Sequence, residues 1–185
     1  MNHHTFDPSS AEKLEETVRY RYLSRDELVG ALELDGDERV VDLGSGTGFY
    51  TREVAPYAGT VHAVDLQEEM HDFFRENGIP DTVEPVTAAI DDVPFEDESH
   101  DAAYSTMTFH EFVSQGALAE LRRVLRTGAR VVIVDWSSLG EGERGPPVDA
   151  RYDAAEATSL LESAGFTVET ARERPETFFV TATAD

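Results

Sequence analysis

Short apolar runs alternate with amphipathic stretches from about residue 39 to the end of the chain. The runs are rich in β-branched side chains, as buried strands are, and the stretches between them repeat apolar residues at helical spacing. This alternation is typical of βαβ units, in which helices cover both faces of a mainly parallel sheet. We predict an α/β fold with seven strands, at residues 39–43, 60–64, 82–88, 101–105, 130–136, 166–172 and 177–183.

Helix signals fill the gaps between these strands. Asp153 and Glu156 form a capping-box pattern at the start of the last predicted helix. Gly78, Gly128 and Gly165 each follow a helical pattern at the place where a left-handed residue commonly ends a helix. The predicted helices span residues 47–57, 67–77, 114–126 and 153–165.

Two further helices are expected ahead of the first strand. Ser9 with Glu12, and Ser24 with Glu27, are spaced as capping boxes. The segment 1–35 is therefore interpreted as helical. His3 and His4 precede the first capping box and are assigned no role.

The order of the strands is constrained at both edges of the sheet. Pro85 interrupts the third run and cannot donate to a ladder, so this strand is predicted at an edge. The last two runs are separated by only a few residues. A connection this short joins antiparallel strands, so the chain is expected to end in an antiparallel pair.

A glycine-rich turn follows the first strand, in the run VVDLGSGTGFYT. Gly44, Gly46 and Gly48 permit positive φ and a close approach of backbone to a ligand. The N–H groups at the start of the following helix are expected to offer donors to a polar or anionic group. A dinucleotide site expects glycine at the sixth position of such a turn, but Phe49 stands there.

A single carboxylate, Asp65, closes the second apolar run. A carboxylate at the end of this strand can accept both hydroxyls of a ribose. The same side chain could instead cap the helix that starts at Gln67, and the two roles are compatible.

Length and composition narrow the class of protein further. The 185 residues suit one well-buried domain, 1–185, with its core in 36–185. Cysteine is absent, which excludes disulfides, thiolate nucleophiles and zinc–thiolate or iron–sulfur sites, and no metal is expected. No run approaches the roughly 20 apolar residues that span a bilayer, and the first residues do not resemble a signal peptide. A cytoplasmic protein with no membrane partner is predicted.

The charge is strongly negative, at −23 from 38 acidic and 15 basic residues, of which only Lys13 is a lysine. Such a chain repels itself in dilute buffer, whereas about 1 M salt shortens the screening length to roughly 3 Å. We interpret the composition as salt adaptation, typical of a haloarchaeal protein. Acidity also disfavours a nucleic-acid substrate, which needs a basic patch.

The turn with its preceding acid resembles motif I of class I S-adenosylmethionine-dependent methyltransferases. The seven runs, the proline in the third and the antiparallel last pair match that family's Rossmann-like sheet, ordered 3-2-1-4-5-7-6 with the last strand antiparallel. The stretches LRRVLRTGARVVIVDW and ATSLLESAGFTVE look like its small members. The resemblance implies S-adenosylmethionine as cofactor, methyl transfer as reaction, and N-terminal helices covering the site. It implies cofactor contacts from Asp42, Gly44, Ser45, Gly46, Gly48 and Asp65.

The stretch AAIDDVPFEDESHDAAYSTM looks like the family's adenine-binding turn and fourth strand. Family members usually carry an acid where Ala89 stands, so either Asp91 makes that adenine contact or the contact is missing. Ile90 is implied to offer its backbone N–H to the ring, and Leu66 to pack on the adenine face. The methionine part is implied to pass two residues at the end of the fourth strand, Ser105 and Thr106.

His110 is the candidate general base, because it follows the fourth strand and has a near-neutral ordinary pKa. A structural histidine at a helix start is the alternative. Glu111 is expected to be solvated, and His62 to be packed inside the second strand. Four aromatic residues could line an acceptor pocket or pack ordinarily, and the loop 137–150 could act as a lid. These residues are Tyr20, Tyr22, Trp136 and Tyr152.

The acceptor is predicted to be a small molecule. The sequence YSTM occupies the place where DNA amino-methyltransferases carry an (Asn/Asp/Ser)-Pro-Pro-aromatic run, which argues against DNA. Two other functions stay open. One is a nicotinamide-dependent oxidoreductase, against which Phe49 argues, and the other is a non-catalytic protein that binds S-adenosylmethionine.

Overall fold

A seven-stranded sheet with the order β3-β2-β1-β4-β5-β7-β6 forms the centre of the computed structural model, which describes residues 6–185. Neighbouring strands are parallel except for β7, which is antiparallel to both β5 and β6. The strands are β1 Arg39–Leu43, β2 Thr60–Asp65, β3 Val83–Thr87, β4 His100–Thr106, β5 Leu125–Trp136, β6 Phe166–Glu173 and β7 Thr177–Ala184. The predicted fold class and strand order are confirmed.

Helices cover both faces of this sheet. Alternate residues of each central strand enter two separate apolar clusters, as the pleat requires. Val41 of β1 faces α5 and α6, whereas Val40 faces α1, α2 and α3. The helices are α1 Arg25–Leu32, α2 Phe49–Val54, α3 Glu68–Glu76, α4 Phe109–Phe112, α5 Gln115–Val124 and α6 Ala154–Ser163.

The N-terminal segment differs from its predicted helices. Residues Pro8–Glu15 and Thr17–Arg21 form two 3₁₀ helices, and the first is capped by Asp7 rather than by Ser9. Proline suits the first position after a cap because it has no N–H to satisfy, so Asp7–Pro8 starts the helix ahead of the predicted cap. Ser24 does cap α1 through the Glu27 N–H.

Two helix ends were placed wrongly from the sequence. Helix α5 stops at Val124, because the buried Leu125 already pairs with His100 in the sheet, and Gly128 lies within β5. The helix after the glycine turn begins at Phe49 and tightens into a 3₁₀ turn, Ala55–Tyr57, around a proline. The capping box of Asp153 with Glu156 is present as predicted.

Other sequence predictions agree with the structure. Strand β3, with Pro85, lies at the sheet edge. His62 is buried and its Nδ1 lies 2.9 Å from Nε2 of His100, as expected for a packed histidine. Within residues 6–185, every helix is too short or too polar to cross a bilayer. His3 and His4 lie outside the described residues.

Candidate functional site

A cleft of about 1050 Å³ opens at the carboxyl ends of β1, β2 and β4. The connections that leave the neighbouring strands β1 and β4 run in opposite directions across the sheet, and such switch points are where α/β folds bind ligands. Residues of the N-terminal 3₁₀ helices and of the segment 144–147 line the cleft opposite the strands. The strand ends thus form the floor of the cleft, and the N-terminal 3₁₀ helices with residues 144–147 form its cover.

The glycine turn forms one wall of the cleft. Gly44 has a φ of +76°, and a Cβ there would lie 2.3 Å from the Thr108 side chain. The N–H groups of Gly44 and Ser45 both donate to the Val64 carbonyl at 2.9 Å. The neighbouring strand therefore uses both of these donors, and they are not available to a ligand. The donors predicted at the start of the following helix are separate groups, and their role stays a prediction.

Asp65 connects the turn to the next helix. Its Oδ2 accepts the Gly46 N–H at 2.7 Å and its Oδ1 accepts the Gln67 N–H at 2.9 Å. Gln67 itself is the N-cap residue of α3, so Asp65 supports the helix start from outside it. Burial raises the pKa of Asp65, although these backbone hydrogen bonds oppose the shift. Asp65 lines the cleft, and each of its oxygens has capacity to accept a further hydrogen bond.

The predicted adenine contacts lie together beyond Asp65. Leu66 is 59% exposed and lines the cleft, as do Ala89, Ile90 and Asp91. Thr106 lines the cleft at the end of β4. The next residue there was not predicted. Met107 lines the cleft and adopts a φ of +61°, a left-handed conformation that is uncommon for a non-glycine residue.

Three predicted cofactor residues do not line the cleft. Ser105 and Asp42 are buried behind it. Asp42 accepts the hydroxyls of Thr51 at 2.6 Å and Tyr104 at 2.9 Å, and burial raises its pKa to about 7. Its carboxylate therefore ties β1 to α2 and β4. The third, Gly48, faces Phe74 of α3 instead of the cleft.

Gly48→Ala is expected to destabilise the protein by about 2–5 kcal/mol. The residue has a φ of +78°, and an added Cβ would lie 2.3 Å from the Phe74 ring, so backbone strain and overpacking both contribute. Gly128→Ala is the matched control, because Gly128 has a φ of +83° but open space around it. Urea unfolding should show a loss of only about 1–2 kcal/mol for the control. Equal losses would contradict the packing role of Gly48.

His110 lines the cleft and is held by a buried carboxylate that was not predicted. Asp135, at the end of β5, accepts the His110 backbone N–H at 2.6 Å and lies 2.9 Å from its Nδ1. Burial lowers the pKa of His110, but the Asp135 hydrogen bond and the charges of Asp135 and Glu111 outweigh it, so the pKa is raised overall. A sequence signal for Asp135 does exist, because it is a carboxylate at the end of the buried run that forms β5.

Glu111 is not the solvated residue that was expected. Its side chain is 19% exposed, lines the cleft and approaches His110 Nε2 to 3.8 Å. Burial, with further contributions from Asp135 and Asp65, raises the pKa of Glu111 to about 7 despite the attraction of His110. His110 and Glu111 thus line one end of the cleft, with the buried Asp135 behind His110.

Two of the four candidate aromatic residues line the cleft. Tyr22 and Trp136 do so, with ring centroids 4.9 Å apart, whereas Tyr20 and Tyr152 do not.

The loop 137–150, a candidate lid, is held in place by hydrogen bonds. Arg151 is buried and donates to the carbonyls of Arg144, Pro146 and Ser137.

The cleft fits the nucleoside of S-adenosylmethionine. Asp65 has acceptor capacity for a ribose, exposed Leu66 offers an apolar face for a ring, and the buried Ser45 hydroxyl has no protein partner among residues 6–185. The volume is ample for a nucleoside and a small second molecule. Within the same residues, no group of three or more His, Asp or Glu side chains could hold a metal. Fold and cleft together are those of an α/β protein with a ligand site at the switch point of its sheet.

Comparison with known proteins identifies the family. A methyltransferase domain family matches residues 41–133. A SAM-dependent methyltransferase from Aquifex aeolicus superposes with a TM-score of 0.87 at 30% identity, over 98% of this chain and 100% of that one. The chain belongs to the class I S-adenosylmethionine-dependent methyltransferases, and its cofactor is S-adenosylmethionine. Membership in this family removes the nicotinamide alternative.

Curated relatives resemble this chain over part of their length. An uncharacterized methyltransferase of Mycobacterium tuberculosis is 35% identical over 136 residues, 67% of this chain and 55% of the relative. A demethylmenaquinone methyltransferase of Clavibacter sepedonicus is 37% identical over 103 residues, 55% of this chain and 42% of the relative. The chain thus spans about half of each of these two relatives.

Proposed function

We propose that the protein transfers the methyl group of S-adenosylmethionine to a small-molecule acceptor in the cytoplasm, with His110 as general base. The observation that carries the proposal is the pairing of His110 with Asp135 in the same cleft as the glycine turn and Asp65. In this proposal a nucleoside site and a proton-accepting group face one cavity. That arrangement suits transfer to a nucleophile that must lose a proton.

In this proposal the nucleoside is held at the Asp65 end. Asp65 accepts the ribose hydroxyls, Leu66 packs on the adenine, and Ile90 offers its N–H to the ring. Gly44, Ser45 and Gly46 line the tail, together with Thr106, while Asp42, Gly48 and Ser105 support the wall from behind. The exposed Asp91 is positioned on the cleft to replace the acid that is absent at Ala89.

The bound cofactor supplies an electrophilic methyl group on a sulfonium. Asp135 accepts a hydrogen bond from the Nδ1–H group of His110, which leaves Nε2 unprotonated and able to take a proton from the acceptor. The resulting imidazolium is stabilised by Asp135 and by Glu111, whose carboxylate lies 3.8 Å from Nε2. The cover over the cleft excludes water and aligns the reactants, the two effects that matter most where charge is neutralised.

A small acceptor is favoured over a nucleic acid. The net charge of −23 opposes phosphate binding, and the cleft is covered by the N-terminal segment and by residues 144–147. The aromatic pair of Tyr22 and Trp136 gives the cavity an apolar wall suited to a small organic molecule.

Calorimetric titration with S-adenosylhomocysteine in molar KCl tests the nucleoside site. Binding is expected, and its absence at about 1 mM, equivalent to roughly −4 kcal/mol, would contradict the proposal. Incubating cell extract with isotopically methyl-labelled S-adenosylmethionine and the protein should then yield a labelled small molecule. Binding without any labelled product would instead favour a non-catalytic binding protein.

The acidic surface is proposed to be adapted to high salt. We expect the melting temperature to rise by at least about 4 °C between low-salt buffer and molar KCl, which corresponds to roughly 1–2 kcal/mol in a chain of this size. Differential scanning fluorimetry at several KCl concentrations measures this shift. A melting temperature that stays constant or falls would contradict salt adaptation.

A further inference from the structure

Arg19 is an unusual cation in this acidic protein. It lies on the second 3₁₀ helix and lines the cleft, yet no carboxylate of residues 6–185 lies within 4.0 Å of its guanidinium. Glu15, from the same segment, is engaged by Thr47 at 2.5 Å and by Arg52. Burial lowers the pKa of Arg19, which reflects the cost of holding this charge away from water.

The guanidinium is held in place with donors to spare. It lies over the rings of Phe49 and Tyr50, 5.0 Å from each centroid. Its Nη1 donates to the Leu14 carbonyl at 2.8 Å, and the Tyr50 hydroxyl is its other polar neighbour. An arginine fork has five N–H donors and matches a carboxylate with two of them, so the site can accept such a group without rearrangement.

A short series of contacts places Arg19 relative to the nucleoside end. Asp65 is bonded to the Gly46 N–H, and a Cβ built on Gly46 would lie 3.4 Å from Leu14. Leu14 in turn holds Arg19. The guanidinium and the Asp65 carboxylate are therefore connected through the glycine turn and line the same cleft. The amino-acid tail of the cofactor leaves the ribose and ends in a carboxylate, the complementary charge.

We propose that Arg19 binds the carboxylate of the cofactor's amino-acid tail, and that this contact holds the N-terminal segment over the cleft. The inference rests on the proposed nucleoside site. Arg19 lies outside residues 41–133, the part of the chain that the family model matches. The cofactor is thus held from two sides, by Asp65 on the sheet and by Arg19 on the cover.

Two ligands and three variants test this assignment by calorimetry. S-Adenosylhomocysteine carries the tail, whereas 5′-methylthioadenosine has the same nucleoside and thioether but no amino-acid group. Arg19→Met should weaken S-adenosylhomocysteine binding by ten- to a hundredfold, about 1.4–2.8 kcal/mol, and change methylthioadenosine binding by less than about twofold. Arg19→Lys should recover part of the loss. Arg21→Met is the matched control, because it removes the same charge from an exposed neighbour that does not line the cleft.

Each outcome decides a separate question. Failure of the wild type to bind either nucleoside overturns the proposed function itself. If the wild type binds both nucleosides and Arg19→Met loses affinity for both equally, the carboxylate assignment is overturned and the nucleoside site is not. The same holds if Arg19→Met loses affinity for neither. The ligand-free melting temperature of Arg19→Met should not fall, since the substitution removes a half-buried charge that has no carboxylate within 4.0 Å among residues 6–185. A marked fall, with both nucleosides weakened, would give Arg19 a purely structural role.

Discussion

Asp65→Ala is expected to weaken S-adenosylhomocysteine binding by at least tenfold and by up to about a hundredfold. Charge-assisted hydrogen bonds to a ribose contribute roughly 1.5–3 kcal/mol, and the substitution removes both oxygens that accept them. It also releases the Gly46 and Gln67 N–H groups, which Asp65 holds at 2.7 and 2.9 Å, so the turn loses its anchor. Calorimetric titration at fixed salt measures the change in affinity.

Two further variants separate ligand contact from charge and from turn geometry. Asp92→Ala removes a carboxylate from an exposed neighbour that does not line the cleft, and should leave the affinity within about twofold. Asp65→Asn keeps one acceptor oxygen and should fall between alanine and wild type. An unchanged affinity in Asp65→Ala would remove the ribose assignment, whatever the behaviour of the other two.

The sheet could be predicted because its signals are local and redundant. A run of β-branched residues predicts strand β5, and Pro85 predicts an edge strand. The short connection before Thr177 predicts that the last two strands are antiparallel. The N-terminal segment carries no such redundancy. Ser24 caps a helix as its pattern predicts. Ser9 does not, because the Asp7–Pro8 pair starts the first 3₁₀ helix earlier.

The glycine turn illustrates where motif reasoning stops. Its position and left-handed conformations follow from the sequence, but the partners of its N–H groups do not. Whether the Gly44 N–H faces a ligand or the Val64 carbonyl depends on the register between β1 and β2, which no local pattern encodes. The same holds for Asp42, which motif resemblance places at the cofactor and the structure places behind it.

The acceptor end of the cleft depends on contacts between residues far apart in the sequence. His110 and Asp135 are 25 residues apart, and only the adjacency of β4 and β5 brings their side chains together. Arg19 reaches the cleft through a segment that precedes the core. Sequence alone identified the histidine, and its partner and its burial came from tertiary packing.

Asp135→Asn is expected to lower the methyl-transfer rate about 10²–10⁴-fold for an acceptor that must lose a proton, while nucleoside affinity stays within about twofold. Oδ2 of the carboxylate accepts the His110 backbone N–H and contacts Nδ1, while Oδ1 accepts the Trp136 N–H. An amide has one accepting oxygen, so its NH₂ must face one of these donors, and an NH₂ turned toward His110 favours the tautomer with the proton on Nε2. That tautomer cannot take a proton from the acceptor. The Asp135 carboxylate also raises the pKa of His110, so the pKa should fall in the variant.

The pH dependence of the methyl-transfer rate is expected to change in a defined direction in Asp135→Asn. A general base is lost as pH falls through its pKa, so the acidic limb of the rate profile should move to lower pH in Asp135→Asn. Nitrogen NMR of His110 should show the proton on Nδ1 in the neutral wild-type ring and on Nε2 in the variant, without any acceptor. Glu169→Gln makes the same chemical change on the exposed strand β6 and should alter neither readout. If folded Asp135→Asn keeps the rate profile and the His110 tautomer of the wild type, Asp135 does not position the base.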